Sequence, residues 1–110
     1  GFRMDLYDPF FFNNSIVFNR AYDFITCTEA IEHFFEPIKE FKKIDALLIK
    51  KGFVGVMTNF LSDEKDFSQW YYRKDPTHVA FYSPKTLEVI ASMMNWTYEI
   101  PERDVVLFKK

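Results

Sequence analysis

The sequence predicts an α/β fold, in which helices cover both faces of a mostly parallel sheet and an antiparallel hairpin forms its C-terminal end. Segments of strand composition alternate along the chain with segments of helical periodicity, which is typical of parallel sheets. Residues 23–28 and 53–60 are apolar on both faces, as buried parallel strands are. Residues 96–100 and 105–108 flank the turn-forming residues 101–104, and this arrangement predicts the hairpin.

The composition indicates one globular domain or part of one. The chain has 110 residues, 48% of them hydrophobic and 20% aromatic, which supports a packed core rather than disorder. The formal net charge is -2 and no basic stripe is present, so unaided nucleic-acid binding is not expected. Cys27 is the only cysteine, and no apolar run approaches the roughly 20 residues of a membrane span. We therefore predict a cytoplasmic protein with neither a disulfide nor a membrane contact.

The N-terminal half predicts strands followed by one helix. Residues 2–7 are predicted to form a strand that ends at Asp8, because the proline that follows cannot continue a ladder. A helix begins at Pro37, and its apolar residues follow at helical spacing up to Leu48. Gly52 comes after two lysines and is predicted to end this helix.

The C-terminal half contains a long polar and aromatic segment before its helix. Residues 62–83 form this segment, and a loop of that length inside a compact domain is usually functional. Ser83 is predicted to cap the next helix, and Pro84 suits its first position. The helix presents an apolar stripe formed by Leu87, Ile90, Ala91 and Met94.

The ends of the predicted parallel strands mark the expected ligand site. In an open α/β sheet, ligands bind beyond the carboxyl ends of the strands. The predicted strands end at Asp8, at Thr28 and Glu29, and at Thr58 and Asn59. These residues are therefore expected to line one binding edge.

Three stretches of the chain resemble one known family. Residues 22–34 contain an E-x-x-E-H pattern after a strand. Residues 47–58 are similar to an "L-L-K-P-G-G" helix end and the strand after it, with Lys51 where the family often has glycine or proline. Residues 75–84 are similar to a "P-T-H-x-x-F-[FY]-S" segment. In their order and spacing, these stretches resemble the class I S-adenosylmethionine-dependent methyltransferases.

The resemblance implies a Rossmann-like sheet with strand order 3-2-1-4-5-7-6 and S-adenosyl-L-methionine as the cofactor. Residues 1–110 then form a partial domain that runs from the second strand to the C-terminus. Asp8 is implied to bind the ribose hydroxyls, since a carboxylate can accept from both. Thr28 and Glu29 are implied to lie beside the methionine moiety. The residues alone also allow Asp8 to cap a turn and Glu29 to act only as a charge at a helix N-terminus.

The resemblance also implies an acceptor side of the site. Asn59 follows the family's fifth strand near the substrate, and Trp70, Tyr71 and His78 are predicted to bind a small-molecule methyl acceptor. His78 and Glu29 are the predicted catalytic residues, because each can take a proton from an acceptor. The alternative for His78 is that it only anchors its loop by hydrogen bonds.

The residues around the E-x-x-E-H pattern raise the question of a metal site. Glu29 and His33 are four residues apart on one helical face, with Cys27 and His78 as further ligands. The sequence has no paired cysteine or histidine motif, so no metal is predicted. Glu32 and His33 are instead predicted to be structural and to orient the loop, with a catalytic role for His33 as the alternative.

The expected function is methyl transfer to an unidentified acceptor. The family's first strand and its Gly-x-Gly-x-Gly loop would precede Gly1, so we expect an incomplete domain whose activity alone is in question. Loss of that central strand leaves unpaired backbone groups. We expect the second strand, another copy of the chain or a separate N-terminal segment to fill the gap. The alternative is a non-catalytic truncated chain that oligomerises or binds a partner.

Overall fold

Four strands and two helices make up the part of the chain that the structure describes. The computed structural model describes residues 5, 20–28, 30–60 and 80–110. The strand predicted over residues 2–7 lies outside them, except for Asp5. The described elements are β1 (Tyr22–Thr28), a 3-10 turn (Ile31–His33), α1 (Pro37–Leu47), β2 (Leu48–Met57), α2 (Pro84–Met94), β3 (Thr97–Glu102) and β4 (Val105–Lys109).

The described strands form one mixed sheet in the order β1-β2-β4-β3. β1 and β2 pair in parallel, with Ile25 opposite Val54 and Thr28 opposite Met57. β4 runs antiparallel to both of its neighbours, so the last two strands form the predicted hairpin. The predicted α/β fold with an antiparallel C-terminal hairpin is confirmed.

Both described helices pack on the same face of this sheet. The connections β1-α1-β2 and β2-α2-β3 each join parallel strands and cross the sheet in the same direction. Right-handed connections that move in one direction place their helices on one face. The sequence predicted helices on both faces, whereas the described helices occupy one. The opposite face presents the partly exposed side chains of Phe24, Phe53 and Met57.

Phe41 of α1 occupies the centre of the core between the helices and the sheet. Its side chain is fully buried. Ring centroids of four other aromatic residues lie 5.9 to 6.4 Å from its own, all in edge-to-face orientation. Such pairs contribute about 0.5–1.5 kcal/mol each beyond area burial, so Phe41 ties both helices to the hairpin. The four partners are Phe34, Tyr82, Trp96 and Phe108.

Both helices begin where the sequence predicts. The Ser83 side chain accepts a hydrogen bond from the Thr86 backbone N–H at 3.2 Å, and Pro84 is the first residue of α2. α1 likewise begins at Pro37. α2 ends at Met94, and the next residue, Asn95, has the left-handed φ of 59° that asparagine tolerates at a helix end. No helix among the described residues is long and apolar enough to cross a membrane.

α1 ends five residues before the predicted glycine stop, so that prediction is wrong. The helix ends at Leu47, and β2 begins directly at Leu48. The Lys110 ammonium donates to the carbonyl oxygens of Asp45 and Leu48 at 2.6 and 2.9 Å. A lysine from the end of the sheet thus satisfies the helix terminus, and no glycine cap is needed.

Gly52 serves close packing of two strands instead. The register between β1 and β2 shifts between Tyr22 and Phe24, which marks a bulge in this part of the sheet. A Cβ at Gly52 would lie 2.9 Å from the Ile49 carbonyl oxygen and 3.0 Å from that of Asp23. The position therefore requires glycine because two backbones approach it, not because a helix stops there.

Candidate functional site

The carboxyl ends of the parallel strands β1 and β2 meet at one edge of the sheet. Thr28, the last residue of β1, lies opposite Met57, the last residue of β2. Thr58 and Asn59 directly follow β2. Thr28 is exposed and Asn59 is half-buried. The structure thus brings two predicted site residues, Thr28 and Asn59, to the same edge.

The other predicted site residues lie outside the described residues. They are Asp8, Glu29, Trp70, Tyr71 and His78. The roles assigned to them in cofactor binding, acceptor binding and catalysis stay predictions.

Glu32 is a buried carboxylate that joins three segments of the chain at this edge. Its side chain is 0% exposed, and its Oε2 accepts a hydrogen bond from the Thr58 hydroxyl at 2.8 Å. Its backbone oxygen accepts from the Ala80 N–H at 3.0 Å. The Tyr82 hydroxyl donates to the neighbouring Ile31 carbonyl at 2.8 Å. The turn after β1 therefore holds both the end of β2 and the chain that leads into α2.

The second oxygen of Glu32 faces a histidine. Glu32 Oε1 has no hydrogen-bond partner among the described residues, and His33 Nε2 lies 3.7 Å from it. Burial, and then the charge of Glu32, raises the pKa of Tyr82 well above its ordinary value. Tyr82 therefore keeps its proton, which it directs to Ile31 rather than to Glu32.

Cys27 lies one residue before the end of β1, with its side chain packed against the core. Burial raises the pKa of its thiol from 9.0 to about 11. A thiol with so high a pKa is a poor nucleophile at neutral pH. The geometry agrees with the interpretation of Cys27 as a packing residue.

Asp104 contacts the chain just after β2 from the turn between β3 and β4. Its carbonyl oxygen accepts from the Thr58 N–H at 3.1 Å, and its Oδ1 accepts from the Phe60 N–H at 2.9 Å. Asn59 lies between these two anchored residues. Asp104 adopts a left-handed φ of 61°, which aspartate tolerates in turns. Sequence reasoning placed Asp104 only in a turn and missed that it supports the edge.

A family model described as a methyltransferase domain matches residues 1–99. The matched residues include β1, β2 and both helices. None of the curated proteins matches the sequence.

Solved structures share the fold at low sequence identity. The YcgJ protein from Bacillus subtilis is 20% identical with a TM-score of 0.66, over 74% of this chain and 37% of that protein. An O-methyltransferase family protein from Burkholderia thailandensis is 10% identical with a TM-score of 0.64, over 90% of this chain and 34% of that protein. A SAM-dependent methyltransferase from Thermotoga maritima is 16% identical with a TM-score of 0.60, over 83% of this chain and 56% of that protein.

These likenesses establish the fold. At identities of 10 to 20% they carry no residue-level assignment. The chain spans between 34% and 56% of the length of these three proteins.

Proposed function

Because the chain belongs to the family of methyltransferase domains, we propose that it functions in methyl transfer from S-adenosyl-L-methionine to a small-molecule acceptor. The family match over residues 1–99 carries this proposal. The carboxyl ends of β1 and β2 lie side by side, and this arrangement supports the proposal, since ligands of open α/β sheets bind at that edge. The description of the Thermotoga maritima structure as SAM-dependent supports the choice of cofactor.

Two described side chains suit the amino-acid end of this cofactor. The Thr28 hydroxyl can donate and accept, and the Asn59 amide offers both donors and an acceptor. Such groups match an ammonium and a carboxylate that lie side by side. Thr58 is less suitable, because it is 1% exposed and donates its hydroxyl to Glu32.

The other cofactor contacts follow from the family resemblance. Asp8 binds the ribose hydroxyls, because its carboxylate can accept from both. Thr28 and Glu29 lie beside the methionine moiety, at the end of β1. The cofactor, when bound, supplies a methyl group that a positively charged sulfur makes electrophilic.

The acceptor lies beyond the end of β2. Asn59, Trp70, Tyr71 and His78 hold it, and the aromatic side chains suit a flat or apolar molecule. His78 or Glu29 takes up the proton that the acceptor loses. Most of the rate enhancement comes from positioning and desolvation of the acceptor's nucleophilic atom.

A calorimetric titration of the chain with S-adenosylhomocysteine tests the cofactor site. We expect a dissociation constant in the micromolar range, weakened about tenfold in Thr28→Val and in Asn59→Ala, since each loses hydrogen bonds to the ligand. Thr97→Val is the matched control, because Thr97 is exposed and pairs with Lys109, which lies opposite Phe53 of β2, four residues before β2 ends at Met57. Absence of heat from the folded chain contradicts cofactor binding by this chain.

One observation favours a second function, that of a non-catalytic chain that oligomerises or binds a partner. β1 is an outer strand of the described sheet, and outer strands are where sheets add further strands. Another copy, or an N-terminal segment that completes the sheet, would pair beside β1. Sedimentation at several concentrations tests this. A monomer that binds S-adenosylhomocysteine contradicts the second function, and a dimer that gives no heat supports it.

A further inference from the structure

One face of the sheet is apolar and is covered by neither of the two described helices. Residues directly opposite each other in register project from the same side of a sheet. Phe53, Gly55 and Met57 of β2 therefore share this face with Leu107 of β4, whereas Val54 is fully buried against the helices. We call the surface formed by these four residues around Gly55 the open face. Contiguous exposed apolar patches mark interaction sites, so the open face calls for a partner.

Gly55 keeps the middle of the open face low. A Cβ at this position would lie 3.5 Å from Leu107 Cδ2 and 4.0 Å from Thr26 Cγ2, so side chains of both neighbouring strands flank it. Phe53 and Met57 lie two residues to either side along β2, and each is close to half exposed. The open face is therefore a ring of apolar side chains around a depression, which a side chain of a partner can enter.

Opposite charges lie beside this apolar centre. A groove of about 330 Å³ is lined by Glu99 of β3 and Lys109 of β4, together with Phe53, Thr97 and Leu107. The Lys109 ammonium lies 5.5 Å from the centroid of the Phe53 ring, so its charge is on the open face. Within the described part of the chain, Glu99 and Lys109 form no ion pair with each other or with another residue.

We propose that the open face binds the open face of a second copy of this chain about a two-fold axis. Glu99 lies opposite Leu107 in the register between β3 and β4, and Thr97 lies opposite Lys109. Glu99 and Lys109 thus occupy two diagonal corners of a four-residue rectangle. A two-fold axis close to the other diagonal lays Glu99 of each copy over Lys109 of the other. The surface is therefore complementary to itself, as a two-fold contact requires.

The size of the open face sets the strength of this dimer. Four strands about 4.8 Å apart, each contributing about five residues of 3.3 Å, give the sheet a footprint of roughly 300 Å². Standard stable interfaces bury about 800 Å² per partner. We therefore expect a reversible dimer with a dissociation constant on the order of 10 to 100 µM. The dimer does not depend on the proposed methyl transfer, and it differs from strand addition beside β1, which leaves the open face uncovered.

Sedimentation velocity between about 1 µM and 1 mM tests the dimer and its surface. We expect Phe53→Gln to weaken it about tenfold or more, since an aromatic side chain leaves the contact. Val89→Gln is the matched control, because Val89 is half exposed on α2, and it should dimerise like the unmodified chain. Circular dichroism confirms that both variants are folded. A monomer at every concentration overturns the proposal, and so does unchanged dimerisation of folded Phe53→Gln.

Charge reversal tests the two-fold arrangement. Glu99→Lys and Lys109→Glu each place like charges over one another at both contacts, so each should dimerise about tenfold more weakly. Mixing the two variants restores opposite charges at both contacts, and we expect the mixed dimer to form in preference to either variant alone. Glu88→Lys mixed with Lys85→Glu is the control, with the same charge changes at exposed positions of α2. Equal behaviour of the two mixtures overturns the arrangement.

Two methionines report which face is covered. Met57 on the open face is 46% exposed and Met93 on α2 is 55% exposed, so peroxide should oxidise both in the monomer. Above the dissociation constant, we expect Met57 to be oxidised severalfold more slowly and Met93 at an unchanged rate, as peptide mass spectrometry measures. Equal rates for Met57 in monomer and dimer overturn the proposal. Protection of Met57 in a chain that stays monomeric also overturns it and assigns the open face to a different occupant.

Discussion

Replacing Thr58 by valine tests the buried contact between Glu32 and the end of β2. The substitution keeps the branched shape and removes the hydroxyl that donates to Glu32 Oε2 at 2.8 Å. Thr58 and Glu32 are 1% and 0% exposed, so water cannot replace the lost donor without opening the structure. A hydrogen bond to a charged group contributes roughly 1.5–3 kcal/mol, so we expect the free energy of unfolding to fall by about 2 kcal/mol.

Urea unfolding followed by circular dichroism measures this loss, with the slope against urea expected to stay constant. Thr97→Val is the matched control, since Thr97 is exposed and its change should stay within about 0.5 kcal/mol. Adding Glu32→Leu to Thr58→Val removes the orphaned carboxylate. The double variant should therefore be more stable than Thr58→Val alone, by about 1 kcal/mol or more.

Two results refute this reasoning. A loss below about 0.5 kcal/mol in Thr58→Val would show that the carboxylate finds another donor or stays hydrated in the folded chain. A double variant no more stable than Thr58→Val alone would show that removing the Glu32 carboxylate does not relieve the loss, so that Thr58 and Glu32 act independently despite their contact.

Three further predictions concern packing and reactivity. Gly52→Ala should lower the thermal unfolding temperature, because overpacking costs about 1–3 kcal/mol. Gly55→Ala should be tolerated, because its Cβ would lie 3.5 Å from its nearest neighbour. Equal effects of the two substitutions would contradict the close approach at Gly52. Phe41→Ala should lower the free energy of unfolding in urea by about 3–5 kcal/mol. Phe35→Ala should lower it by less than about 0.5 kcal/mol, because Phe35 is 86% exposed. A larger loss in Phe35→Ala than in Phe41→Ala would disprove the assigned core. Burial raises the pKa of Cys27 to about 11 from 9.0. The thiol should therefore react with Ellman's reagent at neutral pH about 100-fold more slowly in the folded chain than in urea. Equal rates in the folded and the urea-unfolded chain would show that the thiol is not shielded.

The starts of the helices could be predicted from the sequence, because their signals are local. Ser83 accepts a hydrogen bond from a backbone group three residues away, and Pro37 needs only its own backbone geometry. The end of α1 was missed because it depends on distant residues. β2 begins at Leu48 through pairing with Tyr22, and Lys110 satisfies the last carbonyl groups of the helix.

The candidate site, like the helices, could be predicted only in part from the sequence. Thr28 and Asn59 could be placed on one edge from the strand pattern alone, since neighbouring parallel strands end together. The contact between Glu32 and Thr58 could not, because it joins residues 26 positions apart and depends on burial. The available signal was the position of Glu32 next to Ile31 and two residues before Phe34, where a charge among apolar neighbours suggests a buried partner.

Under the proposed function, the support that Asp104 gives to the chain after β2 makes the C-terminal hairpin part of the acceptor side of the site. Two backbone groups around Asn59 take their positions from a turn more than forty positions further along the chain. We therefore expect sequence changes at that turn to alter which acceptor fits, without altering any residue proposed to touch it. For the proposed methyl transfer, efforts to redirect substrate choice have a natural starting point there, at a turn remote in sequence from Asn59.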